Sequence, residues 1–395
     1  MFRNPFTDAE LDRRLHAVRQ KMARRKLDIA VFSVPESVFY LTGLDHWGYF
    51  APHHLVVPLD GAMTLITREM ERVTIDNQVR NARFVGHTDS ETAVGKLIDL
   101  LEGVAARRGG PRGCGHCGFR LRVGLEEQGN GLSAFAGRSL RATVAGATFE
   151  DISGLSDRLR LVKSAEEMAL LRRAAQASDN AAQAAIAALH DGAREVDVAA
   201  DTLAAMTRAG GNPPGFGPFI RPDARLGEEH TTWGNGLYRS GERAFIELAG
   251  CVSRYHAPLG RLVHIGTIRD ADARMAVTCQ AAFDAVCAAI RPGALARDVY
   301  AAWQAVVDAA GLSHYRRHHC GYLVGIGFPP SWTGGNTVTG LRHDSRMEIE
   351  TGMSFHILSW LMGTGRGDFF VSNCVLLGPD GVEVLTTTPA GPTVV

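Results

Sequence analysis

Leu159-Arg160-Leu161-Val162-Lys163-Ser164-Ala165-Glu166-Glu167 divides the chain. After it the sequence turns Ala-rich and helical as far as about Leu189. Ser164 followed three residues later by Glu167 is a capping-box pattern: the hydroxyl can take the Glu167 N–H while the carboxylate returns to the Ser164 N–H. A second helix is predicted from about Val196 to Ala209.

Upstream, helix and strand alternate. Leu11, Leu15, Val18 and Met22 fall at steps of three and four, which predicts an amphipathic helix from Asp8 to about Lys26, capped by Thr7 or Asp8. Asp28-Ile29-Ala30-Val31-Phe32-Ser33-Val34 reads as an apolar strand closed by Pro35. His54–Pro58 and Ala62–Thr67 read as a hairpin about Asp60-Gly61. A helix from about Ala93 to Arg107, a Gly-rich loop over Gly109–Gly113 and a strand at Arg122–Leu125 follow. Such alternation predicts an α/β layer for residues 1–160.

Downstream, strands at Phe245–Ala249 and Arg261–Ile265 precede two helices, about Asp272–Ile290 and Ala296–Ala310, the first ended by Pro292-Gly293. Strands at Gly352–Leu358, Phe369–Ser372 and Glu383–Leu385 complete an α+β pattern over 161–395. A chain of 395 residues exceeds what one core organises, so two domains are expected.

Lys+Arg and Asp+Glu are both 42, so nothing in the net charge drives the chain toward phosphate backbones or anionic membranes, and neither nucleic acid nor membrane is an expected partner. No window approaches 18 apolar residues, and no apolar run follows Met1-Phe2-Arg3-Asn4-Pro5-Phe6. Seven scattered cysteines suit a reducing cytoplasm. Cys114-Gly115-His116-Cys117 is a lone pair without a second pair at zinc spacing, so an inert surface loop is the stronger reading. The sequence contains no phosphate-binding loop, dinucleotide fingerprint, His-Glu-x-x-His or nucleophile elbow.

The informative pattern is polar residues inside apolar strands: Glu247 in Phe245–Ala249, His256 in Arg254–Pro258 and His356 in Phe355–Ile357. Burying even a neutral polar group without a partner costs about 2–7 kcal/mol. Any one could lie on a wet face; recurrence in three segments points to a site. His230 stands in a polar loop, where a histidine is usually solvated but beside a cleft moves protons near neutral pH. Gly321–Trp332 combines glycines, a proline pair and aromatics, either a tight structural turn or a rigid wall for a small ligand.

The two-domain layout, Arg160-Leu161-Val162-Lys163-Ser164-x-x-Glu167, His230 and the Glu247 strand together resemble the creatinase/aminopeptidase P (M24) superfamily. The resemblance implies a creatinase-like N-terminal domain and a pita-bread catalytic domain, in which the family's peptidases bind two metal ions through two aspartates, a histidine and two glutamates. On this sequence those positions become Glu247, Pro258, Tyr322, Leu358 and Asn373. Proline and leucine cannot ligate a cation, and one carboxylate cannot hold a dinuclear site. A metallopeptidase of the Xaa-Pro type is therefore not expected, and no metal or cofactor is implied.

The metal-free branch is the better match, in which creatinase uses a histidine at the position of His230 as acid/base. Tyr40–Trp47, His230–Trp233, Phe245–Cys251, Arg254-Tyr255-His256-x-Pro258-Leu259-x-Arg261, Gly321–Trp332 and Gly352–His356 are similar to the ectoine hydrolase pattern. Three departures stand out: Thr333-Gly334-Gly335 after the Pro-Pro-x-Trp, Ala257 before Pro258, and Asn373 in place of a glutamate. Asp368 is the nearest carboxylate that could compensate. The resemblance implies metal-independent hydrolysis of a non-peptide C–N bond, an amidine or amide, in a cyclic small-molecule substrate, with His230 and Glu247 as the proton-transfer and water-activating or attacking groups. His256, Tyr322, His356, Asn373 and Asp368 would orient substrate, and Trp332 and Trp47 would wall it. A cyclase or lyase on the same scaffold, or a binding module, remain alternatives. The branch also implies a homodimer in which the Asp45–Phe50 loop reaches the partner's site.

Overall fold

The computed structural model describes residues 3–109, 120–334 and 338–395, without the side chains of 108 and 109. Cys114 and Cys117 lie outside the described residues. The chain divides into two compact units, Met1–Arg160 and Leu161–Val395.

The first unit is a six-stranded mixed sheet of β1 (Ile29–Phe32), β2 (His54–Pro58), β3 (Met63–Arg68), β4 (Ala82–His87), β5 (Leu121–Leu125) and β6 (Ala147–Asp151), in the order β4-β3-β2-β1-β5-β6. β2 and β3 form the antiparallel hairpin, and β1 pairs β5 in parallel. Ile29, Val31, Val123 and Leu125 bury one sheet face with Leu97, Leu101 and Leu140. The first helix, Asp8–Arg24, begins where the Thr7 side chain accepts from the Glu10 N–H. The strand ends at Phe32, ahead of Pro35, and Pro35 itself opens a helix, Pro35–Thr42, because its fixed φ and missing N–H suit a first helical turn. The buried Glu126 carboxylate accepts from the Ser33 and Val34 N–H groups and the Ser37 hydroxyl at that helix start.

The second unit carries an eight-stranded sheet: β7 (Phe219–Pro222), β8 (Arg243–Val252), β9 (Tyr255–His264), β10 (Gly321–Leu323), β11 (Ser354–Leu361), β12 (Phe369–Gly378), β13 (Gly381–Val384) and β14 (Thr393–Val394). The main path runs β10-β11-β12-β9-β8-β7, with β13 beside β12 and β14 beside β9. Both halves of the Ser164/Glu167 capping box form at the start of the helix Ala165–Ala188. That helix and Glu195–Arg208 pack small side chains (Ala177, Ala181, Ala185 and Ala199) against Ile220, Ile246, Leu248, Leu259 and Val263 of β7, β8 and β9. The helices Asp270–Ala289 and Ala296–Ala309 meet β11 at Ser359, whose hydroxyl accepts from the Trp303 indole at 3.2 Å and whose carbonyl accepts from the Cys279 thiol.

Residues directly opposite each other across a strand pair share a face. The register pairs Phe219 with Glu247, Glu247 with Gly260, Gly260 with Ser372 and Ser372 with Leu358. It also pairs His356 with both Tyr322 and Cys374. Since side chains alternate along a strand, Arg221, Glu247, Ser372, His356 and Tyr322 occupy one face, opposite the one packed on helices. Among the described residues, no helix is long and apolar enough to cross a membrane.

Candidate functional site

On the helix-free face a hydrogen-bonded relay runs through three strands, β10, β11 and β12, and a loop. Trp332 Nε1 donates to the Tyr322 hydroxyl at 3.0 Å, that hydroxyl lies 2.8 Å from His356 Nδ1, and His356 Nε2 lies 2.7 Å from Ser372 Oγ. An indole can only donate. The phenol O–H is then left to donate to Nδ1, which assigns the ring proton to Nε2, on the side of Ser372. His356 is fully buried, and burial, with His319 adding to it, holds its pKa well below the usual imidazole value, so the ring is neutral. Burial likewise pushes the Tyr322 hydroxyl up, with Glu247 adding to the rise.

Glu247 stands 3.9 Å from His356 Nε2 through Oε1. Burial raises its carboxyl to about 8, Glu229 adds to the rise, and Arg221 and Arg317 oppose it. Gly260 lies between Glu247 and Ser372; a Cβ there would come within 2.2 Å of Phe370 Cε1 and 2.9 Å of Ser372 Oγ, so only glycine leaves this space. Aromatic rings surround the pair. Phe245 stacks on Phe370 with centroids 5.0 Å apart, and Trp332 packs against Phe216 at 4.0 Å and Phe219 at 5.6 Å.

The expected site residues part company here. His230 lies beside the same face: its ring meets the edge of Phe219 at 5.7 Å, from a backbone with φ of 55°. Glu247, Tyr322, His356 and Trp332 converge as described. His256 is spent on the backbone, Nε2 accepting from the Gly215 N–H at 2.8 Å and Nδ1 lying 2.9 Å from the Arg254 carbonyl. Asn373 has the opposite parity to Ser372 and accepts from buried Arg261 and from Thr386. Asp368 pairs with Arg243 at 3.0 Å and accepts from the Gly363 N–H. Trp47 belongs to the first unit, 58% exposed, before the short turn Gly48–Phe50.

Two residues escaped the sequence reading. Alternation along β12 puts Ser372, and not its neighbour Asn373, on the face of Glu247. Arg221 sits in a strand of only four residues ending in proline, where its alternation with Phe219 was the available signal.

Residues 14–162 match the creatinase/prolidase N-terminal domain, and residues 169–378 match metallopeptidase family M24. The chain belongs to family M24. Among its M24 relatives is the ectoine hydrolase of Halomonas elongata, 26% identical over 98% of this chain and 97% of that protein. An uncharacterised hydrolase/peptidase of Sinorhizobium fredii is also 26% identical, over 97% of both chains. These relatives support a hydrolase. Among solved structures, the Xaa-Pro dipeptidase from Bacillus anthracis superposes with a TM-score of 0.82 at 17% identity over 98% of this chain and all of that one. The dipeptidase PepE from Mycobacterium ulcerans gives 0.78 at 22% identity over 99% of each. The fold is thus the prolidase pita-bread fold with its N-terminal domain.

The family's name implies a metal, and the donor set does not fit one. The positions assigned from the resemblance offer Glu247 as their single carboxylate, and the register places hydroxyl-bearing Ser372 and apolar Leu358 beside it. Among the described residues, no three His, Cys, Asp or Glu side chains are grouped so as to hold a metal ion.

Proposed function

We propose that this M24 chain hydrolyses an amidine- or amide-type C–N bond, outside peptides, in a small cyclic substrate, and that it does so without a metal ion. One observation carries the reading: a lone, buried carboxylate, Glu247, beside a neutral imidazole on a face whose other assigned ligand positions supply no carboxylate. The similarity to an ectoine hydrolase over nearly the whole chain supports the substrate class.

In the free protein Glu247 is protonated at pH 7. A cationic amidine arriving beside it draws that proton off, because an adjacent opposite charge favours the ionised form. The carboxylate then takes a proton from the attacking water, whose oxygen joins the amidine carbon. His356, donating through Nε2, and Ser372 hold the carboxylate and the developing charge in place. The C–N bond breaks as His230 delivers a proton to the leaving nitrogen. Trp332, Phe216 and Phe219 exclude water from the rest of the ring. On the same reading the enzyme is a cytoplasmic homodimer, and the Asp45–Phe50 loop, with Trp47 and Phe50 58% and 81% exposed, approaches the partner's site.

The test is to chelate the purified protein and offer ectoine and related cyclic amidines in ¹⁸O-labelled water. Ring opening without added metal, with one labelled oxygen in the product, is expected. Activity that needs an added divalent cation, or an unlabelled product, overturns the proposal.

A further inference from the structure

We infer that Arg221 is the anion anchor of this site, and that the substrate therefore carries a carboxylate in addition to the bond that is broken. The inference deepens the hydrolase reading and rests on it for the place of the substrate. Arg221 lies opposite Phe245 and two residues from Phe219, on the face that bears Glu247. It is only 1% exposed, and its Nε and Nη1 have no hydrogen-bond partner among the described residues. The guanidinium carbon sits over the Phe245 ring, 4.3 Å from its centroid, a cation–π contact that leaves the N–H donors unspent.

The other two fully buried arginines, Arg14 and Arg261, are not left this way. Arg261 donates to the carbonyls of Pro389, Gly260 and Ser372 and to Asn373 Oδ1. Arg14 donates to Glu10 and to the Tyr40 carbonyl. A buried cation with unspent donors is strongly unfavourable unless something completes it. Glu247 acts on Arg221 through space without a hydrogen bond. A planar, edge-on set of N–H donors is matched by a carboxylate. With a cationic amidine at Glu247 and an anionic group at Arg221, the site selects a small zwitterion.

The test uses a matched pair, 2-methylimidazoline-4-carboxylate and its carboxamide, titrated calorimetrically at pH 7 into the wild type, Arg221→Lys and Arg221→Met. Charge-assisted contacts to a buried guanidinium should favour the carboxylate by roughly 30-fold or more in the wild type. Arg221→Met should bring the pair within roughly threefold, and Arg221→Lys should keep an intermediate preference. Acetate at tens of millimolar should raise the melting temperature of the wild type and not of Arg221→Met. Equal binding of the pair by the wild type, a preference that survives in Arg221→Met, or no stabilisation by any carboxylate overturns the anchor. If Arg221→Met does not fold, the wild-type pair and Arg221→Lys decide. A carboxylate preference without ring opening of any probe keeps the anchor and discards the hydrolase.

Discussion

Replacing Glu247 by glutamine should stabilise the protein while disabling it, and the stabilisation should depend on pH. Burial moves the carboxyl from 4.5 to about 8, so the unfolded chain loses this proton several pH units before the folded chain does. Between those two values the unfolded state binds fewer protons, and stability must fall as pH rises. At about 1.4 kcal/mol per pH unit, ionising Glu247 in place costs on the order of 3–5 kcal/mol. Glutamine mimics the neutral acid in shape and carries no such cost. Glu247→Gln and wild type should therefore be equally stable near pH 4 and diverge above pH 5. The difference should level off above pH 8, where it amounts to roughly 5–15 °C in the melting temperature of the second unit. Paired denaturant and thermal unfolding at pH 4, 6 and 8.5 measure it, and the contributions of all other groups cancel in the difference. Turnover should fall roughly 10²-fold or more in the same variant. A stability difference that does not change with pH would refute the assignment of Glu247 as a neutral acid.

His230→Ala should lower kcat by roughly 10²-fold with little change in KM, and added imidazole should restore part of it; unchanged turnover removes His230 from proton transfer. Tyr322→Phe leaves the Trp332 indole N–H and His356 Nδ1 without partners, so it should cost roughly 1–3 kcal/mol of stability. Nitrogen-15 spectra should show His356 leaving the Nε2–H tautomer in that variant. Binding of a cationic amidine at pH 7 should release a proton from Glu247, seen as a binding heat that varies with the ionisation enthalpy of the buffer; a heat independent of buffer contradicts this.

Much of the fold is legible because its signals are local. The Thr7 cap, the Ser164/Glu167 box and the hairpin about Asp60-Gly61 all depend on residues within a few positions of one another, and they form where the spacing puts them. Pro35 closes the strand region as expected, but the helix it opens is less legible, because the buried Glu126 that accepts at its start lies far along the chain. The site is legible as far as burial cost reaches. Glu247 and His356 betray themselves as polar groups in apolar strands. The same criterion also selects His256, whose cost is met by a backbone N–H of a distant loop, and the resemblance selects Asn373, which is held by Arg261; neither partner is revealed by a local pattern. Asp368 is diverted by Arg243 from another strand. Face alternation would have preferred Ser372 to Asn373, but it needs the register between strands, which one strand's sequence does not contain.

The alternation along β8 gives Glu247 a bearing on folding as well as on the proposed chemistry. Ile246 and Leu248, on either side of it, lie against the alanine-rich helices. Were β8 to slip by a single residue against its neighbours, the acid would be driven into that alanine seam and the two aliphatic chains turned outward. A misaligned β8 would thus place its acid against aliphatic neighbours, so the residue proposed to start the reaction also helps specify the register of the strand that carries it.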